Sequence, residues 1–388
     1  MSKQYYADLH IHIGQTYLGN PVKISASNNL TVPNIIHFAK NVKGIDLVGI
    51  IDAHVPEVLK EIEKLIKDQS LYELDQGGVT DGNVTVLLGS EVEIYDANCS
   101  GPIHVLCYFP TIERMKQFAT WYQQYVKNPH LSSQRLYVTG SALQQKVRSL
   151  KGMFIPAHIF TPFKSLYGKG VKSSLTEVFD ADLIDGIELG LSSDTSMAEV
   201  IRELKPYTFL TNSDAHSLEN IGREYQVLTL KNLSFEGVRL ALKGGEHHYI
   251  KSNFGMNPKL GKYFESKCRN CNQHVSQVDL CEHCGSKRIV KGVSKRIEEI
   301  SQTHGPTTPV DRPPYIHQVP LTYVPGIGHK TLEQLREKLH HDMYIIHHAT
   351  IEELTEVANE SIAQQILNLR KGLRQVVPGG GGKYGKIK

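Results

Sequence analysis

The chain is poor in cysteine. It has six in 388 residues, too few for a disulfide-stapled scaffold, and four of them fall between Cys268 and Cys284, where a reducing compartment favours metal ligation over bridges. Cys99 and Cys107 stand apart and read as buried thiols. No run of about 18 apolar residues is present, which argues against a membrane-spanning helix. A basic start followed by an apolar stretch is missing too, so the chain is expected in the cytoplasm rather than secreted. With 40% hydrophobic and 21% charged residues, it has the composition of a soluble protein long enough for two or three domains.

There is little excess of charge of either sign, since the net value is only +3. That sum hides a division. Residues 251–300 carry ten lysines and arginines against five acids, and residues 301–388 carry ten against eight, so the rear is +7 and residues 1–250 are −4. A polyanion held by the rear would suit this pattern, as would plain solvation.

Residues 1–250 alternate strand-like and helix-like runs, which predicts an α/β barrel or parallel sheet. Strands are expected at 45–51, 84–95, 103–109, 153–157, 183–189 and 207–211. Helices are expected from Val32 to Ala39 and near 56–67, 111–126, 141–149, 196–204 and 234–242. The residues able to carry chemistry lie on or at the ends of the strands: His10 and His12, Asp52 and His54, Glu91, His104, His158, Asp214 and His216. Side chains alternate along a strand, so His10 and His12 face one side. In a barrel such ends converge on one face. Nine imidazoles and carboxylates are costly to bury together unless cations neutralise them. Two or three Zn, Mn, Mg or Fe ions would do so, and such ions turn bound water into hydroxide at neutral pH and clamp a phosphate. Phosphoester hydrolysis is the expected reaction, with Glu91, Asp214 and His216 as catalytic residues.

Asp8-Leu9-His10-Ile11-His12, Gly89-Ser90-Glu91, His104, His158 and Ser213-Asp214-Ala215-His216 resemble the successive motifs of the polymerase and histidinol phosphatase (PHP) family. That resemblance implies a distorted (β/α)7 barrel over residues 1–250 and a trinuclear metal site. Asp52-Ala53-His54 departs from the family's Thr-Asp-His, which leaves open whether Asp52 or His54 is a ligand; His54 is preferred. A loop from Phe160 to Gly170 follows His158. Its Phe160, Phe163, Tyr167 and Lys169 suit either base stacking with phosphate pairing or a barrel rim. With Glu188 and Asn212 they form a candidate pocket beside the metals.

Cys268-x-x-Cys271 and Cys281-x-x-Cys284 predict one structural zinc in a small domain over 251–292, because four thiolates close the coordination sphere. Lys287 and Arg288 beside it are candidates for phosphate contact or for a solvated surface. A Pro-rich linker or arm is expected over 293–320. Over 321–376 an α-helical domain is expected, opening on Pro325-Gly326-Ile327-Gly328 with Lys330. This resembles the hairpin of helix-hairpin-helix modules, which bind the DNA backbone through amides at a helix N-terminus, although an ordinary turn can look the same. A degenerate second copy is read at 350–369. Residues 377–388, with their glycine run and basic end, read as a flexible tail.

The order of PHP-like domain, four-cysteine knuckle and helix-hairpin-helix module resembles the endonuclease Q family. This implies hydrolysis of the phosphodiester 5′ to deaminated bases (uracil, hypoxanthine, xanthine) or abasic sites in double- or single-stranded DNA. Replication or repair proteins are candidate partners and the nucleoid the expected location. The alternatives are a phosphatase of small phosphate monoesters and a non-catalytic DNA-binding scaffold.

Overall fold

A computed structural model of the chain describes residues 2–276, 279–370 and 376–387. Residues 371–375, at the end of the expected helical domain, and Lys388 lie outside the described residues.

Seven staves close a barrel: β1 (Lys3–Ile11), β2 (Leu47–Ile50), β3 (Thr85–Ile94), β4 (Ile103–Phe109), β5 (Met153–Pro156), β6 (Ile187–Glu188) and β7 (Phe209–Leu210). β1, β2 and β3 are parallel, β4 is antiparallel to both β3 and β5, and β6 and β7 are parallel. The ring closes where the Ala215 amide donates to the His10 carbonyl at 3.0 Å and the His12 amide to the Ala215 carbonyl at 3.1 Å. This is a distorted seven-stranded α/β barrel, the form that the resemblance noted above implies. The reversal of β4 has a consequence for the site: His104 lies near the start of its strand, yet that end shares a rim with the C-terminal ends of the parallel staves. The expected strands at 183–189 and 207–211 contract to two residues each, and the expected helix at 196–204 splits into short turns at 195–198 and 202–204.

The interior is filled by Ala7, Leu9, Leu47, Leu87, Leu106, Tyr108, Met153, Ile155 and Leu210. Each large apolar side chain buried this way contributes about 1.5–3 kcal/mol. The space is tight enough that a Cβ on Gly49 would sit 2.2 Å from the Leu9 carbonyl oxygen, so β2 needs glycine there. Phe235 and Val238 of helix 235–243 plug the end away from the histidines.

Outside, helices start where capping chemistry places them. Thr31 accepts from the Asn34 amide with Pro33 in the first turn of helix 32–38, and Thr111 accepts from the Arg114 amide at the head of helix 112–122. Helix 56–67 buries Val58, Leu59 and Ile62, one face at helical spacing.

Beyond the barrel, Tyr225–Leu230, Tyr249–Gly255 and Tyr315–His317 extend the sheet from the edge of β1. Two expectations change here. The linker placed at 293 opens with a helix, Val293–His304, because Ile297 and Ile300 bury one face and Arg296 donates to the carbonyls of Tyr167, Val171 and Lys172. Only then does the Pro-rich arm follow, pinned at Tyr315–His317. The tail is not free either: Val376–Val377 pair with Lys386–Ile387. Helices 329–339, 342–347, 351–357 and 360–370 make the expected α-helical unit. It docks on the barrel through Asp342, which receives Lys43 Nζ at 3.0 Å, and through Arg336, which holds Asp342 within the unit and donates from Nη2 to Glu219 at 3.2 Å. No helix among the described residues is long and apolar enough to cross a membrane.

Candidate metal centre

β1 changes parity to build the site. Leu9 faces the barrel interior, whereas Ile11, two residues on, belongs to the outer core. The register of β1 against β2 shifts between Asp8 and Ile11. Such an irregularity re-aims side chains at a sheet edge, and here it turns His10 and His12 toward Glu91.

Glu91 is the hub. Its Oε1 lies 2.7 Å from His104 Nδ1, 3.4 Å from His158 Nε2 and 3.6 Å from His10 Nε2; its Oε2 lies 3.6 Å from His12 Nε2. Asp214 Oδ1 is 3.4 Å from His10 Nε2, 3.6 Å from His12 Nε2 and 3.3 Å from His216 Nε2. Ligand atoms therefore gather in two groups, His10 with His12 and Asp214, and Glu91 with His104 and His158. Two of these residues adopt left-handed backbone, His158 at φ 31° and Asp214 at φ 47°. Strain of that kind collects at functional sites.

Carboxylates behind the histidines fix which nitrogen faces the centre. Glu188 engages His10 Nδ1 at 2.9 Å, accepts from the His158 amide at 2.9 Å and takes the Asn212 side-chain amide at 2.8 Å. Asp52 engages His12 Nδ1 at 3.1 Å and accepts from the Ile13 amide at 2.7 Å. Metal-binding histidines usually carry such a partner on the other nitrogen. Burial opposes charge on His10, yet Glu188, Asp214 and Glu91 outweigh it and hold its pKa up at about 10. Burial and the Lys23 ammonium push His12 down to about 4. Burial works against charge on Glu91 as well, but His104 and Lys23 hold its carboxyl well below the usual range.

The residues fit divalent ions by an observation of their own. His10 Nε2 and both nitrogens of His54 are buried without a hydrogen-bond partner among the described residues. Orphaned buried nitrogens are costly, and cations facing them would relieve the cost. At Asp52-Ala53-His54 the division of labour is now visible. Both Asp52 oxygens are occupied by His12 and Ile13, whereas the His54 ring, packed edge-on against Tyr122 at 4.6 Å, keeps both nitrogens open.

Lys23 escaped the sequence reading. Its Nζ lies 3.2 Å from Glu91 Oε2 and also reaches Ser133. A single lysine in an irregular loop carries no local signal, and only the closed barrel brings it to the centre.

Comparison with known proteins decides the family. Over 387 residues the chain is 52% identical to the uncharacterised protein YqxK of Bacillus subtilis, each covering all of the other. It superposes with a TM-score of 0.86 and 31% identity on PfuEndoQ from Pyrococcus furiosus, a lesion-specific endonuclease, covering 100% of this chain and 95% of that one. The chain belongs to the endonuclease Q family. An endonuclease Q in complex with a 27-mer duplex substrate, with an abasic lesion at the active site, matches at TM-score 0.84 and 31% identity over 100% of this chain and 96% of the other. No protein-family model matches the chain. As a member of the endonuclease Q family it is a metal-dependent nuclease.

A cavity of about 400 Å³ opens beside the centre, walled by His158, Asp214, His216, Arg223, Tyr263 and Tyr384 among others. A larger one, about 520 Å³, lies at the opposite barrel end by Gly77, Arg148 and Arg239, remote from every candidate ligand. The aromatic loop is corrected in part. Phe160 and Tyr167 stack on each other in the core, and the Tyr167 hydroxyl is spent on Glu203, so neither offers a face to a base. Phe163 stays exposed, edge-on to Tyr263 at 5.3 Å with Arg269 over its ring, and Lys169 is exposed beside Gly101. Glu188 and Asn212 reach the cavity wall, but their polar atoms already hold His10, His158, Leu9 and Gln226.

The four cysteines come together as expected. Cys268 and Cys284 sulfurs are 3.6 Å apart, as are those of Cys271 and Cys281. Tetrahedral Zn–S bonds of about 2.3 Å require S–S edges of about 3.8 Å, so the group is shaped for an ion rather than for disulfides. Lys287 and Arg288 are exposed beside it. In the C-terminal unit, Gly326 turns at φ 87° and Gly328 caps helix 329–339. Pro325, Gly328 and Lys330 are exposed, while Ile327 is buried and anchors the turn rather than touching a ligand.

Proposed function

We propose that the protein is a DNA repair endonuclease that hydrolyses the phosphodiester on the 5′ side of a deaminated base (uracil, hypoxanthine or xanthine) or an abasic site. The observation that carries this is the placement of His158, Asp214 and His216, at the edge of the donor cluster, on the wall of a cavity large enough for an extruded nucleotide. A protein reading a base must take it out of the stack, which costs least at weak or missing pairs. The duplex-bound relative supports the same substrate class.

Ions held by the two donor groups, with His54 a further candidate ligand, would supply a nucleophile at neutral pH and Lewis-acid stabilisation of the phosphoryl group. The chain's own residues do the rest. Glu91 places Oε1 beside His104, His158 and His10 and Oε2 beside His12, within reach of both donor groups, and would help to hold ions in either. Glu188 and Asp52 hold the His10 and His12 rings so that Nε2 faces inward. Lys23 adds a fixed positive charge beside Glu91, where negative charge builds on the phosphate. His216, a third exposed on the cavity wall, is placed to pass a proton to the leaving 3′ oxygen. The Gly326–Gly328 turn and the basic knuckle hold backbone without reading sequence.

Labelled duplexes carrying one uracil, one hypoxanthine, one abasic site or only normal bases test this directly, with cut position mapped on each strand. Incision 5′ to the lesion and none of the normal duplex is expected. Turnover of a simple phosphate monoester with no cleavage of any duplex would replace the proposal with a phosphatase.

A further inference from the structure

The cavity takes part of its wall from the far end of the chain. Residues 376–387 fold back as a hairpin and lace themselves to the segment that precedes the knuckle. The Gly379 and Gly385 amides donate to the Lys259 and Leu260 carbonyls at 2.7 and 2.9 Å, and the Gly382 amide donates to Lys262 at 2.9 Å. The approach is close: a Cβ on Gly379 would lie 2.6 Å from the Gly261 carbonyl oxygen. The glycine run is therefore what lets two backbones meet.

That seam sets Tyr384 in the cavity wall with its side chain partly exposed. Two cationic side chains hold it. Lys262 Nζ is 5.1 Å from the ring centroid, and Arg223 Nη1 donates to the hydroxyl at 3.3 Å. The same guanidinium donates from Nε to the Ser213 carbonyl at 2.8 Å and from Nη2 to the Asp214 carbonyl at 3.4 Å. One arginine thus ties the tyrosine to the loop that presents Asp214. The donor cluster has no use for this ring, yet the ring is fixed at the mouth of the space beside it. An aromatic face oriented by a cation and open to a cavity near a phosphodiester-cutting centre is suited to base stacking.

We propose that Tyr384 is the platform on which an extruded lesion base stacks, so that the C-terminal hairpin sets the preference for base-bearing lesions over abasic sites. This rests on the endonuclease reading above. Stacking one base on an aromatic side chain is worth about fivefold to 150-fold in affinity, and an abasic site has no ring to gain it.

Full-length wild type, Tyr384→Ala and Tyr384→Phe are compared by single-turnover incision of duplexes carrying uracil, hypoxanthine or an abasic site. Quenching of a 2-aminopurine at the lesion position reports stacking independently of cleavage. Tyr384→Ala is expected to lose about tenfold or more in apparent affinity for the uracil and hypoxanthine duplexes, to change abasic incision less than twofold, and to lose the quenching. Tyr384→Phe is expected to keep all three, because the ring and not the hydroxyl does the stacking. An equal loss on all three duplexes, or no loss on the base-bearing ones, overturns the proposal. Wild type that cuts the abasic duplex but neither base-bearing one also overturns it while leaving the nuclease reading intact. Wild type that cuts no lesion-bearing duplex removes both.

Discussion

The barrel rim and the cysteine knuckle are both shaped for metal, and they are built on opposite principles. At the rim each ligand is positioned by a strand end, a fixed bulge or a strained turn, and His10 and His12 are braced from behind by Glu188 and Asp52. The protein supplies that geometry from a continuous sheet and a large core. In the knuckle the reverse holds. Its apolar cluster is Cys268, Val275 and Cys281 with Cys271 and Ile289 packed on it, and among its described residues the strands are the two-residue pair 267–268 and 289–290. So small a cluster cannot offset the entropy of ordering the segment, so the ion there is the fold. The difference teaches where chemistry can reside: a prebuilt site can leave coordination positions open, whereas a site that folds around its ion must close them.

The sharpest way to break the comparison is at Asp214. Its backbone sits at φ 47°, a conformation asparagine tolerates, so Asp214→Asn removes the charge with little strain. Incision is expected to fall about 10³-fold or more while the thermal midpoint and lesion binding stay near wild type. Undiminished cleavage would take Asp214 out of the site.

Next in size is the knuckle. A chelator, or Cys281→Ser, is expected to strip its ion and with it a binding free energy of about 10–16 kcal/mol that is also folding free energy. Hydrogen exchange should then show protection lost around 264–292 and retained in β1 to β5. Loss of protection in the barrel as well would mean that the two regions fold as one unit and that the contrast is false.

Much of this contrast was legible before the structure. The two Cys-x-x-Cys pairs carry their meaning in spacing alone, and the polar ends of apolar strands named nine rim residues. What escaped was tertiary. The parity change in β1 that brings both Leu9 and His10 inward has no local signature, since alternation alone would send them to opposite faces. Lys23 reaches Glu91 from a loop. Glu188 lies on the cavity wall but spends its oxygens on His10, His158 and Asn212, and in sequence a strand-end carboxylate looks the same whether it meets a base or braces a histidine. The helix at 293–304 has a signal, Ile297 and Ile300 at helical spacing, but the run is short and directly abuts the Pro-rich stretch that follows. Glycine-rich composition at 379–382 read as disorder because composition cannot show the backbone at 259–262 that it docks against.

Bracing at the rim can be measured. Glu188→Gln keeps the size of the side chain and a hydrogen bond to His10, but it removes the negative charge that raises the basicity of that ring. Outer carboxylates of this kind are worth about tenfold to 100-fold in metal affinity. Titrating apo protein with Mn or Zn should show a loss in that range at the rim and none at the cysteines. A loss below twofold would mean that strand geometry alone suffices and that the bracing is incidental.

The smallest effect concerns what the knuckle contributes once folded. Lys287 and Arg288 lie exposed beside the sulfur cluster and remote from Glu91 in the chain; the Arg288 carbonyl accepts from the Arg269 amide at 2.7 Å, and Arg269 lies over Phe163 on the rim side. If they neutralise phosphates, each releases about one counterion on binding, so replacing both with alanine should lower the magnitude of the slope of log K against log salt by about two. Affinity should fall several-fold at low salt and scarcely at all at high salt, equally for normal and lesion-bearing duplexes, with incision of bound DNA unchanged. An unchanged slope would assign both charges to solvent and reduce the knuckle to a spacer. A change in lesion preference would place them near the cavity and blur the division between a region that grips and a region that cuts.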